Sequence, residues 1–164
     1  MSDALATPKP LELYATSVKP EWVDHNGHMN LAYYPMAFYE ATNALSLHLG
    51  MTREFKNRTK TASFAANLHL SYRREVRDGD PLRFLSRIIN FDSKRVHFWH
   101  EMHHATDDYL AATCEMMSLN IDTTLRRVAD MPTELLDRLR EIHDVHTLLP
   151  PPAGLGHSIK IDDP

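Results

Sequence analysis

Apolar residues along this chain recur at two spacings, and the changes of period mark its elements. "LELYATSVK" (11–19) has strand character and stops at Pro20. A polar stretch, "EWVDHNGHMNLAYY" (21–34), follows. From Pro35 to Leu49 the period is helical, with Phe38, Ala41, Leu45 and Leu49 three or four residues apart. Pro35 suits the first turn of that helix and Gly50 the position just past its end. Arg53–Lys60 reads as a charged connection. Four strand candidates then run over 62–76, 81–91, 96–105 and 109–122, separated by short turns such as "RDGDP" and "DSKR". Their brevity indicates an antiparallel meander. "PTELLDRLREIHDVH" (132–146) is a second helix with Leu135, Leu136, Leu139 and Ile142 as its apolar stripe and Thr133 as a candidate cap.

This order predicts an α+β fold in which a curved antiparallel sheet of about five strands wraps around one long central helix, with a second helix near the C-terminus. Residues 1–10 read as a flexible leader, 11–147 as a single domain and 148–164 as a Pro/Gly-rich tail. The polar turn of 21–34 falls at the entrance to the central helix.

Composition narrows the classes of function. The chain of 164 residues is large enough for one self-sufficient core. Its net charge of -4 carries no basic bias toward nucleic acid, and no apolar run reaches the length of a membrane span. The opening "MSDALATPKP" lacks the features of a secretory signal, so the expected location is cytoplasmic. A single cysteine, Cys114, rules out an internal disulfide and a cysteine-based zinc site. The 11 histidines raise the question of a metal. On a strand, His100 and His104 would share one face and His97 and His103 the other, each pair lacking a third ligand nearby in sequence. No metal is expected.

The turn itself concentrates chemistry. Asp24, Asn26 and Asn30 are turn and helix-cap residue types, and Gly27 adds backbone freedom. They could simply shape the loop and satisfy free amides at the helix start. The same amides can instead stabilise an oxyanion, while a nearby acid attacks an acyl carbon or activates water. Such parts suit acyl transfer to water.

"DHNGHMN" (24–30) followed by the aromatic-rich helix "YYPMAFYEA" resembles the signature of hotdog-fold acyl-CoA thioesterases of the 4-hydroxybenzoyl-CoA thioesterase-like superfamily. "LHLSYRREVRDGDPLRF", "FDSKRVHFWHEM" and "YLAATCEMMSLNID" extend the similarity to roughly residues 11–125. Within the superfamily, "DSKRVHFWHEMHHATDDYLAAT" resembles the betainyl-CoA thioesterases, including the thioesterase half of carnitine dehydrogenase fusions.

The resemblance implies hydrolysis of a small acyl-CoA thioester, betainyl-CoA being a candidate, with coenzyme A as part of the substrate and no separate cofactor. It implies Asp24 as nucleophile or general base, and Gly27 with the amides around Asn30 and Leu31 as an oxyanion hole. His28 and Asn30 would position water or the carbonyl. Asn67 stands where relatives often carry an acid, and could orient water. Arg73, Arg74, Lys94, Arg95, Arg126 and Arg127 are candidates for the CoA phosphates. Trp22, Tyr33, Tyr34, Phe38 and Trp99 could furnish aromatic faces for a trimethylammonium. The resemblance also implies a homodimer or dimer of dimers, sheets joined edge to edge and each site shared by two chains. Strands 96–105 and 109–122 are the expected edges. Two other readings are a non-catalytic acyl-CoA-binding hotdog protein and a hotdog hydratase. Gly27 and Met29 depart from the hydratase pattern Asp-x-Asn-Pro-x-His.

Overall fold

The computed structural model describes residues 7–159. The remainder of the expected leader and tail therefore lies outside the described residues. Strand β1 (Leu11–Ser17) leads through a short 3₁₀ turn to helix α1 (Tyr33–His48), then α2 (Arg53–Thr59) and strands β2 (Thr61–Tyr72), β3 (Pro81–Phe91), β4 (Arg95–His104) and β5 (Leu110–Asp122). A two-residue strand β6 (Arg127–Val128) and helix α3 (Thr133–His146) follow.

All strands pair antiparallel in the order β1-β3-β4-β5-β2, with β6 added beside β5. The five-strand sheet and its single long helix match the expected α+β architecture, but the simple meander does not. Only β3, β4 and β5 form one; β2 skips β3 and pairs with β5 at the far edge. Strands 96–105 and 109–122 are thus interior, and β1 and β2 are the edges. With β3 and β5 on either side of β4, and β4 and β2 on either side of β5, both strands have their backbone groups paired and neither has an edge left to offer.

Helix α1 lies on the inner face of the sheet. Tyr34, Ala37, Phe38, Ala41 and Leu45 are buried at spacings of three and four, as a helix with one packed stripe requires. It begins at Tyr33, two residues before Pro35, and Pro35 is tolerated there because the first-turn amides lack intrahelical partners. It stops at Gly50, whose φ of 77 places it in the left-handed region. Phe38 meets Phe84 of β3 edge to face at 5.6 Å and stacks near His100 of β4. His100 is fully enclosed, with Ser86 Oγ 2.8 Å from Nδ1 and Thr42 Oγ1 3.2 Å from Nε2. Burial pushes its pKa down to about 3, so the ring is neutral and serves as a polar pin between helix and sheet.

The charged segment 53–60 is the helix α2 (Arg53–Thr59) with its C-cap at Lys60, not a connection. Thr52 caps it by accepting the Phe55 amide at 3.2 Å, and Phe55 is its one buried anchor. At the start of α3, Thr133 is the first helical residue and its side chain makes no cap; Pro132 holds the cap position. Past α3, the chain crosses the outer face of the sheet without regular structure. Arg87 donates to the Pro150 and His146 carbonyls, and the Gly156 amide donates to Glu115 at 2.8 Å. Among the described residues no helix is long and apolar enough to cross a membrane.

Candidate active site

The polar turn folds on its own side chains. A bridge between Val23 and Met29 closes it, the Gly27 amide donates to the Asp24 carbonyl, and Gly27 takes a φ of 79 that only glycine adopts readily. The Asp24 carboxylate accepts the Asn26 amide at 2.8 Å and Asn30 Nδ2 at 3.0 Å. The Asn26 amide is the main cause holding its pKa below the usual carboxylate range, with Asn30, His28 and His25 adding to it against the cost of burial. Asn30 is the hub of the turn. Besides Asp24, its Oδ1 accepts the Ala32 amide, its carbonyl the Tyr33 amide, and its own amide donates to Trp22.

The turn is tied to the segment just past β2 by the Met29 amide, which donates to the Val76 carbonyl. Strand β2 stops at Tyr72 because the Arg73 and Arg74 amides both converge on the Ala111 carbonyl, breaking the ladder. The result is a cleft of about 410 Å³ between turn, helix start and strand end, lined by Asp24, Asn26, His28, Met29, Asn30, Leu31, Tyr34, Tyr72, Arg73, Arg74 and Glu75. Tyr34 is buried at its back, and burial raises its phenol to about 12, so it is a neutral donor at working pH. Cys114 is also buried, its thiol pushed up to about 12, and is no nucleophile.

Among the candidates read from sequence, Asp24, His28, Asn30, Leu31, Tyr34, Arg73 and Arg74 come together here. Others do not. The Gly27 and Asn30 amides are already engaged, which leaves the Leu31 amide, without an acceptor among the described residues, as the free donor. Tyr33 stacks on Trp22 outside the cleft, and Phe38 and Trp99 are core residues. Asn67 lies in a separate hollow with His69, His97 and Glu115. Lys94 and Arg95 sit at the β3–β4 turn, where Arg95 pairs with Asp92 at 2.5 Å and Lys94 lies 4.0 Å from Asp130. Even the two arginines in the cleft are turned aside. The Arg74 guanidinium lies 4.0 Å over the Tyr109 ring, and the Arg73 head reaches the C-terminal segment beside Gly154.

Tyr72 and Glu75 escape a sequence reading because "YRREV" looks like uninterrupted strand. The only hint is the departure from alternation in three consecutive charges. Removing one donor from Asp24 offers a direct check on the turn. Because its pKa is depressed, Asp24 stays ionised down to below the ordinary value of about 3.9. Asn30→Ala is expected to shift the carboxyl titration upward, so that charge is lost at a higher pH as acid is added. NMR titration of the Asp24 carboxyl reads this without turnover, and an unmoved midpoint would count against the Asn30 bond.

This chain matches the model of the thioesterase-like superfamily over residues 18–139. The betainyl-CoA thioesterase of Pseudomonas aeruginosa is 32% identical over 149 residues, which cover 91% of this chain and 94% of the relative. The L-carnitine dehydrogenase/betainyl-CoA thioesterase of Agrobacterium fabrum is 32% identical over 151 residues, 90% of this chain but only 30% of that longer protein. Among solved structures, a Staphylococcus aureus protein in complex with CoA superposes with a TM-score of 0.88 at 25% identity, covering 98% of this chain and 100% of that one. The 1,4-dihydroxy-2-naphthoyl-CoA thioesterase from Synechocystis shares the fold, with a TM-score of 0.70 at 15% identity over 79% of this chain and 95% of its own. The chain belongs to the thioesterase-like superfamily and has its hotdog fold.

Proposed function

We propose that this protein hydrolyses a small acyl-CoA thioester, betainyl-CoA foremost, to the free acid and coenzyme A. The observation that carries this reading is the Asp24 carboxylate held in one cleft with the free Leu31 amide. A thioester carbonyl directed at that amide develops its negative charge against a donor at a helix start. As general base, Asp24 takes a proton from water as the oxygen attacks the acyl carbon. The C–S bond then breaks, and the thiolate recovers a proton. As nucleophile, Asp24 would form a mixed anhydride that water opens. Either route consumes one water and releases one acid and one thiol. His28 lines the same cleft and would orient the water.

The exposed edge of β2 fits a second copy of the chain. Phe64, Leu68 and Tyr72 are exposed along it, as are Leu31, Met36 and Tyr39 on the neighbouring α1 side. Pairing would satisfy the edge amides and cover this apolar band. Tyr72 and Leu31 belong both to the band and to the cleft, so a second copy seated there would wall the substrate site.

A free-thiol assay across betainyl-CoA, short aliphatic and aryl thioesters tests the reading. Release of CoA from betainyl-CoA, faster than from the aryl thioesters, is the expected result. Saturable binding of acyl-CoA with no thiol released would sink it.

A further inference from the structure

We propose that Glu75 and the ring of Tyr72 select acyl groups bearing a fixed positive charge, a specificity that rests on the thioester-hydrolase reading above. Both residues line the Asp24 cleft, and neither belongs to the turn that carries Asp24. Arg77 grips Glu75 through one oxygen only: Nη2 and Nε donate to Oε1 at 2.7 and 3.2 Å. Oε2 has no donor among the described residues, so a carboxylate oxygen with a fixed position remains available. That hydrogen-bonded grip also holds the Glu75 carboxyl below its usual range, keeping it ionised.

Tyr72 is half exposed, meets the buried Tyr34 ring edge to face at 5.0 Å, and points its hydroxyl at the Leu31 carbonyl, 3.5 Å away. It therefore runs alongside the residue whose amide is free. An acyl carbonyl bound at the Leu31 amide has its substituent beside Tyr72 and Glu75. Arg77 offsets part of the Glu75 charge through Oε1 and leaves Oε2 open. Arg74 is spent on Tyr109, and Arg73 is drawn to the C-terminal segment. The guanidinium heads of Arg73 and Arg74 are turned from this end, so the open Glu75 oxygen in the cleft with Asp24 suits a cationic acyl group. A quaternary ammonium cannot hydrogen-bond. Aromatic faces and an open carboxylate oxygen are what recognise it.

The test compares betainyl-CoA with tert-butylacetyl-CoA, which has the same shape with carbon in place of the charged nitrogen. The readout is the ratio of kcat/KM for the two thioesters. The wild-type protein is expected to favour betainyl-CoA, and Glu75→Gln to reduce that ratio about five- to tenfold, the scale of one partly exposed charge contact. Tyr72→Leu should reduce the ratio as well, whereas Tyr72→Phe, which keeps the ring, should preserve it. A ratio unmoved by both Glu75→Gln and Tyr72→Leu overturns the assignment. Equal hydrolysis of both thioesters by the wild-type protein overturns charge selection alone. Failure to release CoA from either overturns the hydrolase reading and this inference with it.

Discussion

Asp24→Asn is expected to slow CoA release by about a thousandfold, the usual scale for loss of a general base or carboxylate nucleophile. The substitution keeps the size of the side chain and removes its charge and basicity. One consequence is local. Both Asp24 oxygens accept from donors, the Asn26 amide and Asn30 Nδ2, and an asparagine must offer its own NH₂ to one of them. The turn will therefore loosen at that contact, while the bridge between Val23 and Met29 and the Met29–Val76 hydrogen bond keep it attached. Thiol release should collapse while the unfolding midpoint stays close to that of the wild type. Activity within tenfold of wild type would remove Asp24 from the reaction.

The largest effect on stability is expected from Phe38→Ala, about 3–5 kcal/mol. Phe38 has no exposed surface, packs edge to face on Phe84, and stands over His100. Truncation removes the buried ring from the one helix that fills the curl of the sheet. The space left behind cannot collapse easily, because Thr42 bonds His100 one turn further along and holds the helix at its present height. Such a loss is a large share of the total of a typical domain, about 5–15 kcal/mol. Urea unfolding measures it through the midpoint at constant slope. A loss below about 1 kcal/mol would mean that the helix is held by other contacts.

Much of this molecule can be read locally. The α1 stripe of Phe38, Ala41, Leu45 and Leu49 is buried as its spacing predicts, and β3 runs over 81–91 as expected. Within the turn, Asp24, His28, Asn30 and Leu31 meet because they are close in sequence. What escapes is set by partners distant in the chain. Strand β2 is as apolar as its interior counterparts, yet residues 63–68 are exposed, since alternation encodes faces and not neighbours. The α2 helix escapes because one buried residue, Phe55, makes no period. Lys94 and Arg95 satisfy a general demand for positive charge, but local carboxylates Asp130 and Asp92 take them up. Glu75 enters the cleft only because the β2 ladder breaks after Tyr72, and that break depends on the Ala111 carbonyl, far along the chain.

The crossing of β2 to β5 also sets a clock on synthesis. Strand β2 is complete at Tyr72, but its pairing partner starts only at Leu110. At about 5–20 residues per second, the ribosome leaves β2 waiting for roughly 2–8 s before that partner begins to appear. During that interval the strand that carries Phe64, Leu68 and Tyr72 has no sheet to join. Aggregation during expression should therefore respond to translation speed between residues 72 and 110. Synonymous codons in that stretch, which leave every contact of the finished fold unchanged, would alter the yield of folded protein.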